Sequence, residues 1–189
     1  MSEVVLMRHA ETEWSRQGRH TGRSDVPLTA SGRAEAAALG KRLAGRVVRW
    51  ALTSPLSRAT DTALLAGLTA VPDADLTEWD YGEYEGMTTM QILELRPKWS
   101  LWRDGCPGGE DAAAVGVRVD RVAARVLEAL EGGGGDVLLV AHGHLLRVLA
   151  ARWCELDASL GSCLRLDTAS VSVLGWERET RVIHRWNDR

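Results

Sequence analysis

Short apolar runs of strand length alternate with helical patterns along this 189-residue chain. The runs at 4–7, 47–54 and 137–141 are strand candidates, and the segment 169–187 alternates enough to form two further strands with a turn. Strands that alternate with helices are typical of a mainly parallel sheet covered on both faces. The pattern therefore predicts an α/β fold.

Capping residues mark the starts of several helices between these runs. Ser54 followed by Pro55 predicts a helix that carries Arg58 in its first turn. Thr88 predicts a second helix, which a proline ends. A long helix is predicted from Glu110, because apolar residues recur every three or four positions after it.

Composition narrows the functional classes. The net charge of −3 gives no reason to expect nucleic acid or an anionic membrane as a partner. No apolar run approaches the ~18 residues that cross a bilayer, and the first residues do not resemble a signal peptide. We therefore expect a cytoplasmic protein with reduced thiols. The three cysteines are Cys106, Cys154 and Cys163.

Cationic and imidazole side chains stand at the ends of these predicted strands. Arg8 and His9 follow the first apolar run, and His142 follows the run at 137–141. Arg58 lies about one helical turn beyond the second run. Ligands of parallel sheets bind in the crevice beyond the carboxyl ends of the strands. Because guanidinium groups match phosphate oxygens in pairs, these residues predict a pocket for a dianion.

Phosphoryl transfer suits this set of residues. A histidine among cations is biased toward its neutral form, and neutral imidazole is a nucleophile that can hold a covalent intermediate. The leaving group also needs a proton, which a carboxylic acid near the pocket would supply. The segment EWDYGEYEG offers four acids, and the residue pattern alone does not choose among them. They are Glu78, Asp80, Glu83 and Glu85.

Four segments together resemble the successive signatures of the histidine phosphatase superfamily, in its phosphoglycerate mutase-like branch. They are LMRHAETEWSRQGRHTGRSDVPLTASGRAEA, TSPLSRATDTA, EWDYGEYEG and VAHGHLLRVL, in that order. The resemblance implies a three-layer α/β/α sandwich with a short helical cap insertion. It implies one domain over residues 1–189, with a cap segment at about 82–108. It also implies a phosphohistidine mechanism without metal or other cofactor, on a small-molecule phosphate ester.

The same resemblance assigns roles to individual residues. It places the nucleophile on His9 and the phosphate clamp on Arg8, Arg58 and His142, and it selects Glu78 as the proton donor. Further residues would line the substrate pocket beside the two arginines. These are Ser15, Thr21, Gly22, Tyr81, Gly143 and His144.

Departures from the family pattern favour a phosphatase of the acid phosphatase type over a 2,3-bisphosphoglycerate-dependent phosphoglycerate mutase. Thr89 stands where the mutases carry a lysine, and Ser15 replaces an asparagine. The mutases also have a long basic insertion that this chain lacks. Losing cationic contacts for a carboxylate-bearing intermediate favours its release and hydrolysis. The mutase is therefore the second interpretation, and a phosphoprotein phosphatase or a non-catalytic phosphate-binding protein is the third.

Aromatic residues in and before the cap segment bear on specificity. Trp79, Tyr81 and Tyr84 near the acid loop favour a broad range of organic phosphates. Trp99 and Trp102 either form an apolar wall of the pocket or, the preferred interpretation, pack in the core.

The remaining histidines and the C-terminal strands receive ordinary interpretations. His142 and His144 form an H-x-H pair, but no third ligand lies at a supporting spacing, so no metal site is predicted. His20 and His184 are interpreted as ordinary turn and strand residues. The C-terminal strands either continue the sheet across a homodimer or close its edge, and the sequence leaves both open.

Overall fold

A single six-stranded sheet forms the centre of the molecule in the computed structural model, which describes residues 2–189. The strands lie in the order β3-β2-β4-β1-β5-β6. The first four strands in the chain are parallel to one another, whereas β5 is antiparallel to β1 and β6 is antiparallel to β5. The mainly parallel sheet is therefore confirmed. The strands are β1 Val4–Arg8, β2 Val48–Thr53, β3 Val71–Pro72, β4 Asp136–Ala141, β5 Val171–Glu177 and β6 Thr180–Asp188.

Seven α-helices within residues 2–189 connect the strands and form the cap segment. Four of them begin at side-chain caps, since Thr12, Thr29, Thr88 and Asp111 each accept a hydrogen bond from the first turn of the helix that follows. Within residues 2–189 no helix is both long enough and apolar enough to cross a membrane. The helices are α1 Glu13–Arg16, α2 Ala30–Arg42, α3 Ser57–Leu65, α4 Thr89–Leu95, α5 Leu101–Asp104, α6 Ala112–Glu131 and α7 Gly143–Trp153.

Helices cover both faces of the sheet, as the three-layer expectation requires. Alternate residues of β1 point to opposite faces, so Val5 packs with the apolar residues of α2 and α3. Leu6 belongs to the opposite cluster, with α6 and α7. All six residues of β4 are buried, because this strand lies between two others and under helices on both sides. The carboxyl ends of β1 and β4 are thereby held side by side.

Helix α3 begins later than its sequence predicts. Ser54 does not cap it; the helix starts at Ser57, and the residue before it makes no side-chain capping bond. Asp25 takes that role from another loop, since its carboxylate accepts from the backbone N–H and the hydroxyl of Ser57, both at 2.8 Å. A cap supplied from 32 residues away leaves no local signature. Arg58 is still in the first turn.

The cap segment packs into the same apolar cluster as α6 and α7. Ile92, Trp99 and Leu101 are each less than a tenth exposed, and they join the side of the core that α6 covers. The side chains of Arg96 and Arg103 pair with Asp104 at the surface. The bounds of the cap segment and the assignment of residues 1–189 to one domain stay predictions.

Candidate active site

A cavity of about 250 Å³ lies at the carboxyl ends of β1 and β4. It lies where ligands of parallel sheets bind. Eight of the residues that the sequence analysis selected line this cavity, and Gly22, Arg58 and His142 lie behind its wall. The eight are Arg8, His9, Ser15, Thr21, Glu78, Tyr81, Gly143 and His144.

His9 is held as a neutral base with one nitrogen free. Its Nδ1 lies 2.8 Å from the carbonyl oxygen of Ala10. A carbonyl oxygen only accepts, so Nδ1 carries the proton and Nε2 keeps its lone pair. Burial, together with the charges of Arg8 and Arg58, holds the pKa of His9 well below its usual range. The residue therefore meets the requirement for a nucleophile.

The Arg8 guanidinium has donors to spare inside the cavity. One Nη1 hydrogen goes to the carbonyl oxygen of Leu166 at 2.5 Å, but the buried Nε has no hydrogen-bond partner. A Cβ on Gly143 would lie 3.0 Å from Cζ of this guanidinium. A side chain at 143 would press on this guanidinium, so glycine leaves Arg8 its place, and three of the four Nη hydrogens have no partner within residues 2–189.

Arg58 is fully buried and most of its hydrogen bonds are already made. Its Nε donates to Nδ1 of His142 at 3.1 Å. Its terminal nitrogens donate to the carbonyl oxygens of Thr21, Gly22 and Ser24, at 2.8 to 3.0 Å. Four of the five N–H groups are thus committed, and one on Nη1 has no partner within residues 2–189; its contact with phosphate stays a prediction.

His142 has a partner for each ring nitrogen. Because Arg58 can only donate to its Nδ1, the proton of neutral His142 is on Nε2, which donates to the Ser54 hydroxyl at 2.7 Å. Burial and Arg58 hold the pKa of His142 well below its usual range. The rings of His142 and His9 lie 5.1 Å apart between centroids. In this arrangement His142 orients Arg58 and supports His9, and its direct contact with phosphate stays a prediction.

Glu78 is the one acid of its loop that lines the cavity. Its carboxylate accepts from the backbone N–H groups of Trp79, His144 and Leu145 at 2.9 to 3.0 Å, the last two at the start of α7. A carboxylate has about four acceptor positions, so one remains for a proton. Asp80 instead pairs with Arg23 at 2.8 Å.

Glu85 fixes the loop that holds Arg58. Its carboxylate accepts from the backbone N–H of Gly22 at 2.9 and 3.0 Å and of Ser24 at 3.1 Å. The carbonyl oxygens of the same two residues accept from Arg58. A Cβ on Gly22 would lie 2.6 Å from the carbonyl oxygen of Trp79, so a larger residue would push the loop away. Gly22 therefore acts through Arg58 and not by lining the cavity.

The outer wall contains a hydrogen-bonded pair of aromatic residues. The Tyr81 hydroxyl lies 2.6 Å from Nδ1 of His144. Burial raises the pKa of Tyr81 and lowers that of His144, so both groups are neutral and the phenol donates. His20 packs on Tyr81 with 4.7 Å between ring centroids, and burial lowers its pKa to about 4.

Several lining residues were missed by the sequence analysis. His20 lines the cavity, so its interpretation as an ordinary turn residue is wrong; His184 does lie on β6. Arg147 had a signal, because it follows His144 by three residues and thus shares its side of α7. Thr89, the first residue of α4, was named only for the lysine that it replaces, and the lining residues in loops carry no such signal. The lining residues beyond the predicted eight are Gly18, Arg19, His20, Thr89, Arg147 and Leu166.

Aromatic side chains form a layer behind the cavity. Trp99 packs on Tyr84, and Trp102 packs on both Trp79 and His144, with 5.3 to 5.6 Å between ring centroids. The cavity wall is mainly polar and does not include Trp79, Tyr84, Trp99 or Trp102. The interpretation of Trp99 as a core residue is thus confirmed. Of Trp79, Tyr81 and Tyr84, which were expected near the substrate, Tyr81 alone lines the cavity.

Comparison with known proteins identifies the family. The family profile described as "Histidine phosphatase superfamily (branch 1)" matches residues 4–189. The chain belongs to the histidine phosphatase superfamily. It is 44% identical over 181 residues to an acid phosphatase of Mycobacterium tuberculosis, covering 94% of this chain and 88% of that protein. A solved structure of the Mycobacterium tuberculosis open reading frame Rv3214 superposes with a TM-score of 0.94 at 41% identity, covering 99% and 97% of the two chains.

More distant members of the superfamily have different reactions in their names. A sedoheptulose 1,7-bisphosphatase of Saccharomyces cerevisiae is 37% identical, covering 79% of this chain and 66% of that protein. A 2,3-bisphosphoglycerate-dependent phosphoglycerate mutase of Mesorhizobium japonicum is 36% identical, covering 77% and 78%. The superfamily and its phosphatase members show that this chain is an enzyme of the phosphatase type.

Proposed function

We propose that this histidine phosphatase hydrolyses small organic phosphomonoesters through a phosphohistidine on His9, without a metal ion. One observation carries the proposal: the bond from Nδ1 of His9 to the Ala10 carbonyl leaves Nε2 unprotonated in a cavity that also contains Arg8 and Glu78. The cavity therefore contains a nucleophile, a guanidinium that donates hydrogen bonds to the phosphate, and a proton donor.

The reaction has two steps. Nε2 of His9 attacks phosphorus, the P–N bond forms as the ester P–O bond breaks, and protonated Glu78 gives its proton to the departing alkoxide. Glu78 then takes a proton from water, whose oxygen attacks the phosphohistidine; the P–N bond breaks and inorganic phosphate leaves. The uncommitted Nη hydrogens of Arg8 and the remaining N–H of Arg58 stabilise the phosphoryl oxygens in both steps.

We expect a broad range of leaving groups, because the fixed hydrogen-bond donors of the cavity contact the phosphoryl group and not the leaving group. Arg8 and Arg58 engage the phosphoryl group, which every monoester shares. Thr89 at the cavity wall supplies no positive charge where the mutases carry a lysine. Release of the alcohol and attack by water are therefore favoured over return of the phosphoryl group.

Phosphorus NMR in excess EDTA tests the proposal directly. The protein is given an aryl phosphate, 3-phosphoglycerate and a trace of 2,3-bisphosphoglycerate. Accumulating inorganic phosphate supports a metal-independent phosphatase, whereas rapid 2-phosphoglycerate with little free phosphate supports the mutase. His9→Ala should abolish turnover, and His184→Ala, an exposed strand residue, is the control. Substantial activity in His9→Ala would contradict the mechanism.

The proton donor is tested by leaving group. Glu78→Gln should slow an alkyl phosphate by about 100-fold or more, because general acid catalysis contributes about that much. It should slow an activated aryl phosphate far less, since that alkoxide leaves without a proton. Glu83→Gln, an exposed acid of the same loop, is the control. Equal slowing of both esters would move the acid role to another residue.

A further inference from the structure

Arg118 on α6 uses its whole guanidinium group on the segment that carries Glu78 and on one partner. Its Nη1 donates to the carbonyl oxygens of Asp75 and Thr77, both at 2.9 Å, and its Nη2 donates to that of Glu78 at 3.3 Å. Its Nε and Nη2 also donate to the two carboxylate oxygens of Glu110, both at 2.8 Å. All five N–H groups therefore have partners, and Arg118 does not line the cavity of the candidate active site.

Glu110, just before α6, holds the same segment on its other side. Its Oε2 accepts from the backbone N–H of Asp80 at 2.9 Å, and its own backbone N–H donates to the carbonyl oxygen of Asp80 at 2.8 Å. Its carbonyl oxygen accepts from the indole N–H of the fully buried Trp79 at 2.9 Å. The Arg118–Glu110 ion pair thus contacts the backbone up to Glu78 and the two residues that follow it.

The geometry of this ion pair is fixed. Two parallel hydrogen bonds join the guanidinium to the carboxylate, and the side chains of Arg118 and Glu110 are only 15% and 21% exposed. Arg121, about one turn later on α6, differs from Arg118. It is half-exposed, and within residues 2–189 it pairs with the carboxylate of Asp75 and with no backbone group of the segment.

The Glu78 carboxylate depends on the position of the backbone around it. The three groups that donate to it are backbone N–H groups, one on Trp79 in the same segment and two on His144 and Leu145 at the start of α7. No side chain of residues 2–189 donates to this carboxylate. It keeps its orientation only while the segment stays aligned with α7, and a displacement of about 1 Å can cost about 100-fold in rate.

We propose that the Arg118–Glu110 ion pair positions the proton donor, by holding residues 75–80 where the Glu78 carboxylate faces the leaving group of the ester. The inference rests on the proposed phosphatase activity, in which Glu78 gives its proton to the departing alkoxide. Arg118 and Glu110 are positioning residues, because they act through Glu78 and do not touch the ester. Their loss should therefore impair proton transfer and leave the contacts of the phosphoryl group intact.

Two esters that differ in their leaving group test this role. Propyl phosphate needs a proton on its departing alkoxide, whereas 4-nitrophenyl phosphate does not. Arg118→Gln should lower kcat/KM for propyl phosphate, relative to that for 4-nitrophenyl phosphate, by about tenfold, because a displaced acid loses part of the about 100-fold that general acid catalysis contributes. The inhibition constant for inorganic phosphate should stay unchanged. Because the ratio compares two esters on one protein sample, partial unfolding of a variant does not alter it.

Glu110→Gln is the milder second variant. Its amide nitrogen cannot accept a hydrogen bond, so the variant loses the bond to Arg118 or the bond to the Asp80 N–H, and the same ratio should fall. Arg121→Gln, with the same charge change as Arg118→Gln on the same helix, is the matched control and should leave the ratio unchanged. A native ratio in both Arg118→Gln and Glu110→Gln would overturn the proposal.

The double variant Arg118→Gln, Glu78→Gln shows whether the ion pair acts through Glu78. A glutamine at position 78 has no proton to give, so adding Arg118→Gln to Glu78→Gln should not change the ratio further. A merely structural role would slow both esters alike in Arg118→Gln, or would lower the ratio again in the double variant. Either result would overturn the proposal.

Failure of the proposed function gives a different pattern. If the native enzyme releases no phosphate from either ester, or if Glu78→Gln slows both equally, the proton-donor role fails and its positioning fails with it. If Glu78→Gln lowers the ratio while Arg118→Gln and Glu110→Gln do not, the proton-donor role stands and the positioning role alone is overturned.

Discussion

The inner and outer parts of the cavity are built in opposite ways. Arg58 and His142, at the inner end, are fully buried, and all but one of their side-chain N–H groups and ring nitrogens have partners in the protein. Arg19 and Arg147, at the outer end, are half-buried and each keeps three N–H groups free. The difference teaches that the inner part is held in one geometry by its own hydrogen bonds, whereas the outer part keeps hydrogen-bond donors that the protein does not use.

Of the substitutions that test this comparison, Arg58→Lys should have the largest effect. Lysine cannot reproduce a planar group that donates to three carbonyl oxygens and to His142. We expect kcat/KM to fall about 100-fold, comparable to losing one preorganised donor. The free energy of unfolding should fall by about 1–3 kcal/mol for each buried acceptor left unpaired. Steady-state kinetics and urea unfolding measure both, with Arg185→Lys as the exposed control.

Unchanged stability in Arg58→Lys would contradict the view that the inner part is tied by its own hydrogen bonds. A similar substitution in the outer part, Arg19→Lys, should leave the unfolding free energy within about 0.5 kcal/mol, as surface substitutions usually do.

Glu85→Ala tests the inner part indirectly, through the loop that holds Arg58. Glu85 contacts the loop backbone at Gly22 and Ser24, and the loop contacts Arg58. Removing the carboxylate should lower kcat by about tenfold, because Arg58 loses its fixed position, with less change in KM. Glu85→Gln should recover part of the loss, since its amide oxygen still accepts from one N–H. A variant that changes KM alone would show that the loop binds substrate directly.

The pH dependence of stability tests the buried histidines of both parts. His9, His20, His142 and His144 all have folded-state pKa values lowered by burial, that of His20 to about 4. Below pH 6.5 the unfolded chain binds protons that the folded chain does not, so the unfolding free energy falls as pH falls. Each histidine contributes up to about 1.4 kcal/mol per pH unit in that window.

His20→Asn separates the outer histidine from the others. The variant should lose about one proton from the slope of unfolding free energy against pH between 6 and 4.5, measured by urea unfolding at several pH values. His184→Asn is the control, because this exposed histidine has no comparable burial. An unchanged slope in His20→Asn would show that the outer wall admits water to this ring and does not keep it neutral.

The sequence predicted the residues that sit next to strand ends and missed those that depend on distant partners. Arg8 and His9 could be placed because a buried strand must end in the crevice. Glu78 was chosen by resemblance, since four acids of one loop look equivalent until the helix amides of α7 select one. Ser54, Asp25 and the stack of Arg147 on Trp102 need the tertiary fold.

Arg8 and His9 also connect segments that are far apart in the chain. The backbone N–H of Arg8 donates to the carbonyl of Ser170, its side chain donates to Leu166, and the carbonyl of His9 accepts from Ala169. Contacts across more than 150 residues form late, because closing a long loop costs entropy before any contact repays it. Enzymatic activity should therefore return only with the final phase of refolding, after helix formation is complete, and a nascent chain without β5 would be inactive.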